Sequence, residues 1–200
     1  SGYLALCSSN LPDTTLSPDQ DEQANDHFNT VLYTGNGSSG HAITGVGFQP
    51  DWVWIKERNG ATNHGLHDSS RVSSGNEAIL YSNDTYVAWN WKANGGTTSS
   101  NTNGDITSTV QVNNTAGFSL ILYTGFGEAV KTVGHGLSQA PEMILFKTRG
   151  SGNWFVYHKD TGNTGYTFLN ANTAFTGDAN FLNNTTPSST LITLGTSSAA

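Results

Sequence analysis

The feature that most constrains this chain is a sequence pattern that occurs twice. Residues 43–60 read ITGVGFQPDWVWIKERNG, and residues 133–150 read VGHGLSQAPEMILFKTRG. Proline, lysine and arginine recur 91 positions later, in the pairs Pro50 and Pro141, Lys56 and Lys147, and Arg58 and Arg149. Upstream, the tetrapeptide Leu-Tyr-Thr-Gly at 32–35 recurs at 122–125. Self-similarity at a fixed spacing predicts two copies of one module of roughly 90 residues.

The repeat divides the chain into four parts. Residues 28–93 form the first β repeat, which is shortened near positions 84–85, and residues 106–200 form the second. Residues 94–105 are almost entirely Gly, Ser, Thr and Asn, so we interpret them as the linker between the copies. Residues 1–27 are interpreted as a strand and connector from an upstream module.

The two copies differ at one place. The first copy passes from EAILYS at 77–82 directly to TYVAWNWK at 85–92, whereas the second runs on to residue 200 without a counterpart of TYVAWNWK. Either residues have been deleted at 84–85 or residues were left out of the chain there. Both alternatives predict a gap or an unusually short connection at this junction.

Hydrophobic periodicity predicts the fold class. Many short segments rich in Val, Ile, Thr and aromatic residues are separated by Gly-rich turns, and no segment longer than ten residues has a helical period. We therefore expect an all-β protein with little or no helix, in which two tandem repeats form β-sandwich (jelly-roll-like) halves. Strands are predicted at 28–34, 42–46, 52–58, 77–82, 85–92, 106–112, 118–124, 131–133, 142–148, 154–158, 166–170 and 190–194.

Composition limits the possible partners. Charged residues make up only 12% of the chain, while five Trp, seven Tyr and nine Phe supply apolar area for a core. The net charge of −7 argues against nucleic acid and against anionic membranes, which require clustered Lys and Arg. Cys7 is the only cysteine, so no disulfide forms within the chain, and no apolar run is long enough for membrane insertion.

Sequence motifs for catalysis are not found. The chain has no Gly-x-Ser-x-Gly elbow, phosphate-binding loop or zincin helix. The carboxylates have no spacing that pairs two of them for glycoside hydrolysis. Only the cluster of His64, His67 and Asp68 offers more than one metal ligand, and zinc needs three or four that converge. We therefore predict a protein that is not an enzyme and that has no metal and no cofactor.

Aromatic residues near loops are the better candidates for binding. Trp154 and Tyr157 lie beside a glycine-rich loop and next to His158, and His67 with Asp68 holds the matching place in the first copy. An exposed aromatic ring can stack on a sugar ring while polar neighbours bind its hydroxyls. We predict a glycan-binding site from these five residues.

Other residues of the repeated strands receive structural interpretations. Tryptophans occur in pairs, at Trp52 with Trp54 and at Trp89 with Trp91, and each pair shares one face of a strand. We expect Trp52 and Trp54 to lie in the core. The Lys and Arg residues at the ends of the repeated strands are interpreted as solvated.

Several sequence words along the chain point to a family. They are GYLALC at 2–7 with NLP at 10–12, YTGNG at 33–37, 43–56 as a whole, YVAWNWKA at 86–93, SNTNGDITSTV at 100–110 and NTAGFS at 114–119. Together they resemble a module of marine phage tail-fibre-like proteins, especially those of cyanophages, whose molecular function is unassigned.

The resemblance implies a location and partners. It implies a protein of the virion surface, a tail-fibre or appendage module that presents loops to a host-surface polysaccharide. It also implies contacts with other virion proteins and with copies of the same chain, a trimer being one such assembly. Two alternatives are a purely structural capsid decoration or tail-shaft protein, and a polysaccharide depolymerase.

Overall fold

The chain folds into antiparallel β-sheets. A computed structural model describes residues 23–38, 40–69, 84–125, 127, 129–150 and 152–197. Within these ranges it contains thirteen strands, one 3₁₀ turn at Ala24–Asp26 and no α-helix, which confirms the all-β prediction. The strands are β1 (Phe28–Thr34), β2 (Trp52–Glu57), β3 (Gly65–Asp68), β4 (Thr85–Trp91), β5 (Ser99–Asn101), β6 (Ser108–Asn113), β7 (Phe118–Leu122), β8 (Lys131–Gly134), β9 (Met143–Phe146), β10 (Phe155–His158), β11 (Gly162–Phe168), β12 (Thr176–Gly177) and β13 (Leu191–Leu194).

The first half of the chain forms one four-stranded sheet. Its order is β1-β4-β2-β3, so β4, the last of the four in sequence, lies between β1 and β2. Both pairings of β4 are antiparallel; β1 pairs along the whole strand, and β2 pairs with Tyr86–Trp91. The inward-facing residues of β4 are all buried, and they are Tyr86, Ala88 and Asn90.

The second half is built from three sheets around one core. Their orders are β12-β11-β10-β9, β13-β8 and β5-β6-β7. Phe181 is fully buried at the centre, and its ring meets those of Phe146 and Tyr166 edge to face at 5.2 and 5.1 Å. Side chains of β8, β9, β10 and β13 surround it, which joins the four-stranded and two-stranded sheets into one packed unit.

The repeated sequence forms a hairpin in each half. β2 pairs with β3, and β9 pairs with β10, both antiparallel and with connecting loops at matching sequence positions. The two registers differ by one residue, because Trp52 lies opposite Asp68 whereas Met143 lies opposite His158. The hairpins agree with the predicted duplication; that the halves are two complete copies stays a prediction.

The lysines at the ends of the repeated strands also make specific hydrogen bonds. In each hairpin the lysine Nζ donates to two backbone carbonyls of the following loop, at 2.7 and 3.1 Å for Lys56 and at 2.6 and 2.5 Å for Lys147. The accepting carbonyls belong to Glu57 and Gly60 in the first half, and to Thr148 and Gly150 in the second. Each ammonium therefore closes the loop that it precedes.

Three expectations about local structure need correction or cannot be compared. Residues 42–46 are not a strand, because Gly45 takes a positive φ of 89° and the backbone there serves Asn29 as hydrogen-bond acceptor. The segment 94–105, interpreted as a linker, contains β5, which pairs with β6. The predicted strand at 77–82 lies outside the described residues.

The junction at 84–85 is continuous and ordered as the start of β4. The carbonyl of Asp84 accepts from Gly35, and the side chain of Asn59 accepts from the N–H of Thr85. The connection that leads into this point lies outside the described residues, so both explanations of the shortened first copy stay open.

Candidate functional site

One face of the first sheet carries four tryptophans in two cross-strand pairs. Trp89 of β4 lies opposite Trp54 of β2, and Trp91 lies opposite Trp52. Residues that are directly opposite share a face of a sheet, as do residues two apart on one strand, so all four indoles lie on one face. We call this surface the tryptophan face, defined by Trp52, Trp54, Trp89 and Trp91.

The four rings contact one another along the face. Trp54 and Trp89 meet edge to face with centroids 5.4 Å apart, and Trp52 and Trp91 are tilted at 4.5 Å. Such aromatic pairs each contribute about 0.5–1.5 kcal/mol beyond their buried area. The contacts fix the ring planes before any ligand arrives.

One end of the tryptophan face is closed. Trp52 is only 7% exposed, and the ring of Phe118 on β7 lies 6.3 Å from it and 6.5 Å from Trp91. Phe28 packs on the other side of Trp91 at 4.9 Å. This end therefore joins the first sheet to the second half, and the expectation that Trp52 is a core residue is confirmed.

The other end of the face is open. Trp54 and Trp89 are both half-buried, so part of each indole reaches the surface, and the expectation that Trp54 is a core residue was wrong to that extent. In the next row across the sheet, Leu32 and Val87 continue the apolar surface, and Leu32 is 61% exposed. Exposed and half-buried apolar groups therefore adjoin one another at this end of the face.

Polar groups lie beside the indoles of the open end. The indole N–H of Trp54 donates to Nδ1 of His64 at 2.7 Å, which assigns the imidazole proton to Nε2. Partial burial, followed by the charge of nearby Lys56, lowers the pKa of His64, so the ring is neutral at neutral pH. Thr30 occupies the same face opposite Trp89, whereas Asp68 lies opposite Trp52, in the row of the closed end.

A buried carboxylate fixes β4 beside β2 at the closed end. Asp51 is 1% exposed, and its two oxygens accept four consecutive backbone N–H groups from the turn that follows β4. The donors are Ala93, Asn94 and Gly95 to Oδ2 at 2.8, 3.0 and 2.9 Å, and Gly96 to Oδ1 at 2.7 Å. Successive N–H groups around one anion form a concave nest that only a small, permissive backbone can wrap. The positive φ of Gly95 and Gly96 supplies that conformation.

The candidate residues in the second half do not form a surface together. Tyr157 is 2% exposed within the core, so its ring cannot stack on a ligand from solvent, and burial raises its pKa. Trp154 is half-buried just before β10, and its backbone N–H donates to the Oδ1 atom of Asn170. His158 is partly exposed, with Nδ1 3.8 Å from Asp160.

His67 and His158 hold matching sequence positions but lie on opposite faces of their sheets. His67 lies opposite Val53, on the inward face of β2, whereas His158 lies opposite Met143, on the outward face of β9. The one-residue difference in register is the cause, because shifting a strand by one exchanges its faces. Asp68, as the neighbour of His67, is on the tryptophan face. The structure thus separates the five predicted residues, and within the described ranges no three His, Cys, Asp or Glu side chains gather as metal ligands.

Sequence reasoning missed the pairing of Trp54 with Trp89 and the role of His64. The signal was present as two tryptophans spaced two apart in each of two strands. The sequence does not show which strands become neighbours, since the strand order β1-β4-β2-β3 is not the order of the sequence.

Comparison with known proteins identifies the family. The chain belongs to the family described as a domain of unknown function, DUF7483, whose model matches residues 23–85 and residues 70–200. No curated protein and no solved structure matches the chain. No helix in the described part is long and apolar enough to cross a membrane.

Proposed function

We propose that this DUF7483 protein is a non-enzymatic carbohydrate-binding module that stacks sugar rings on the open end of its tryptophan face. The observation that carries the proposal is the half-buried pair of Trp54 and Trp89, whose ring centroids are 5.4 Å apart. Each ring is supported on its buried side and reaches the surface on the other.

The chemistry of a sugar matches this surface. A pyranose has an apolar C–H face that packs on an indole, and its hydroxyls need donors and acceptors at the edge of the ring. His64, bonded to Trp54, and Thr30, opposite Trp89, supply such groups beside the open pair of indoles. The bond from Trp54 to His64 also fixes the indole, which reduces the entropy lost on binding.

Charge favours a neutral polysaccharide as the ligand. The chain carries a net charge of −7, and Lys56, the cation next to the open end within β2, already donates to two backbone carbonyls. An anionic glycan would meet repulsion that the already bonded Lys56 ammonium does little to offset. We therefore propose a neutral hexose polymer as the ligand class.

The location of this activity follows from the resemblance to phage tail-fibre-like proteins. We place the module on the virion surface, in a tail fibre or similar appendage, where it attaches the particle to a host-surface polysaccharide. Its further partners in this proposal are other virion proteins and copies of the same chain. The depolymerase alternative is less well supported, because the described rows of the tryptophan face contain one carboxylate, Asp68, and the usual hydrolytic mechanism needs two.

A purely structural role in the virion is the second candidate. It is favoured by the closed end of the face, where Trp52 and Trp91 pack against Phe118 as in a core. In that case the open end would be covered by a neighbouring virion protein, and purified protein would bind no glycan.

A glycan array with the purified chain tests the proposal. The wild type is expected to bind one or more neutral polysaccharides of the host surface, and the double variant Trp54→Ala/Trp89→Ala to bind them at least about tenfold more weakly, since two lost stacking contacts remove more than about 1.4 kcal/mol. Trp154→Ala is the matched control, because this tryptophan is outside the face. Equal binding by the double variant, or no binding by the wild type, would reject the proposal.

A further inference from the structure

Two strands of the second half each have one edge without a partner strand. Among the described residues, β7 pairs with β6 alone and β9 pairs with β10 alone. Both strands contribute side chains to the same core, through Ile121 on β7 and through Ile144 and Phe146 on β9. Both strands therefore pack side chains against the same interior.

In the first half, the corresponding edges are paired with a strand. β1 and β2 lie 90 and 91 positions before β7 and β9, and β4 pairs with both of them. Tyr86, Ala88 and Asn90 of β4 point inward and are almost completely buried. The second half contains no strand at the place of β4 within the described residues.

Residues of the second half beside the position that lacks a strand like β4 are exposed, whereas their counterparts in the first half are buried. Met143 is 50% exposed, whereas Trp52, its counterpart, packs against Trp91 of β4. Glu142 forms a surface ion pair with Lys159 at 2.6 Å, whereas Asp51, its counterpart, is enclosed by the turn after β4. An unpaired edge next to exposed apolar groups is a template for adding a strand.

A segment of this chain has the pattern of the missing strand. Residues 3–7 read Tyr-Leu-Ala-Leu-Cys, and residues 86–90 of β4 read Tyr-Val-Ala-Trp-Asn. In the chain, β4 is followed by β5 and β6 and then by β7, and residues 3–7 are followed by a polar segment and then by β1. Residues 3–7 thus lie upstream of β1 as β4 lies upstream of β7.

We propose that the edges of β7 and β9 accept residues 3–7 of a second copy of this chain. In the register of the first half, the alternate residues Tyr3, Ala5 and Cys7 take the places of Tyr86, Ala88 and Asn90. They face the core beside Tyr123, Ile121 and Ile144, whose side chains already pack against it. The inserted backbone supplies hydrogen bonds to both edges, and the small Ala5 and Cys7 fit over a core that is already dense.

Chain order favours a second copy over the chain's own segment. β4 completes the sheet of the half that lies before it in the chain, so the proposal assigns residues 3–7 to a half other than the two that follow them. The second half of a neighbouring copy supplies such a place. The contact is head to tail, and repetition closes it into a ring or extends it into a filament.

A single engineered cysteine tests this register. Asn90 lies opposite Asn29, and Ser119 is the counterpart of Asn29, so Cys7 of one copy lies opposite Ser119 of the next. Residues opposite each other in antiparallel strands have Cβ atoms about 4.5–5.5 Å apart, close enough for a disulfide after a small adjustment. Mild oxidation of the full chain carrying Ser119→Cys is expected to give covalent species of three or more chains on a non-reducing gel.

Matched variants make the outcome decisive. The wild type has one cysteine and can form two-chain species at most, and Leu120→Cys places the thiol on the opposite face of β7. Ala5→Asp is expected to lower the mass measured by analytical ultracentrifugation, whereas Ser9→Asp, outside the segment, leaves it unchanged. A Ser119→Cys cross-link within one chain, equal cross-linking by Leu120→Cys, or an unchanged mass for Ala5→Asp would overturn the proposal. Trp54→Ala/Trp89→Ala is expected to assemble normally, so this test and the glycan-binding test fail independently.

Discussion

The indole of Trp54 donates its N–H to Nδ1 of His64 across 2.7 Å, and this bond requires an unprotonated Nδ1. Partial burial and the nearby Lys56 charge lower the pKa of His64, which keeps the imidazole neutral. Protonation at Nδ1 would remove the acceptor and release the indole. The open end of the tryptophan face is therefore sensitive to acid.

Glycan binding and stability are expected to fall together below pH 6.5. The folded-state pKa of His64 is below its unfolded value of 6.5, so its contribution to stability is complete above pH 6.5 and is lost as the pH falls through the folded-state pKa. In His64→Gln the Trp54 contact no longer titrates. Urea unfolding from pH 7.5 to 5 checks this, and an equal loss of stability in the wild type and the variant would contradict it.

His135 is expected to add a second acid-sensitive contribution. It is almost completely buried, with Nε2 3.2 Å from the Ser188 carbonyl and Nδ1 accepting the N–H of Leu137. Burial lowers its pKa, although the bond to Ser188 opposes the shift, so here too the neutral form favours folding. Stability of the wild type should decline below pH 6.5, and His135→Gln should flatten that decline at the cost of lower stability at pH 7.5. If the stability of His135→Gln declines below pH 6.5 as steeply as that of the wild type, another group is responsible.

Asp51→Asn is expected to destabilise the protein by about 3 kcal/mol, because four backbone N–H groups lose a charged acceptor and the introduced amide donates toward them. Glu142→Gln is the matched control at the same place in the second half. Its carboxylate is exposed and paired with Lys159, so it should change the free energy of unfolding by less than about 0.5 kcal/mol. Equal effects of the two substitutions in urea unfolding would contradict the role given to Asp51.

Lys147→Met is expected to lower the free energy of unfolding by about 1 kcal/mol, since the ammonium donates to the carbonyls of Thr148 and Gly150. Lys56→Met should have an effect of similar size, because Lys56 makes the same two kinds of contact. Arg149→Met, at an exposed position of the same loop, should stay within about 0.5 kcal/mol. If Arg149→Met costs as much as Lys147→Met, loss of loop charge rather than of these bonds is the cause.

Much of the secondary structure could be predicted, because alternation and turn residues are local signals. β1 was predicted at its observed bounds, and β2 and β4 to within one residue at their ends. β3 was missed because its Gly-Leu-His-Asp sequence has the composition of a loop and becomes a strand only through pairing with β2. β5 was missed for the same reason, since Ser-Ser-Asn is extended only against β6.

The site could be predicted only in part, since it depends on which strands become neighbours. The tryptophan pairs were visible in the sequence, but β4 had to insert between β1 and β2 to bring them together. Tyr157 illustrates the opposite case: its place beside a loop suggested exposure, and a one-residue difference in register turned it into the core. Neither the strand order nor the register is a local property of the sequence.

The indole N–H signals of an NMR spectrum test the central claim most directly. The chain has five tryptophans, so five indole signals are expected, each assignable by a single Trp→Phe variant. On titration with a polysaccharide selected by the array, the signals of Trp54 and Trp89 should shift most, and those of Trp52 and Trp154 least. Shifts confined to Trp154, or five unchanged signals at saturating polysaccharide, would contradict a binding site on the tryptophan face.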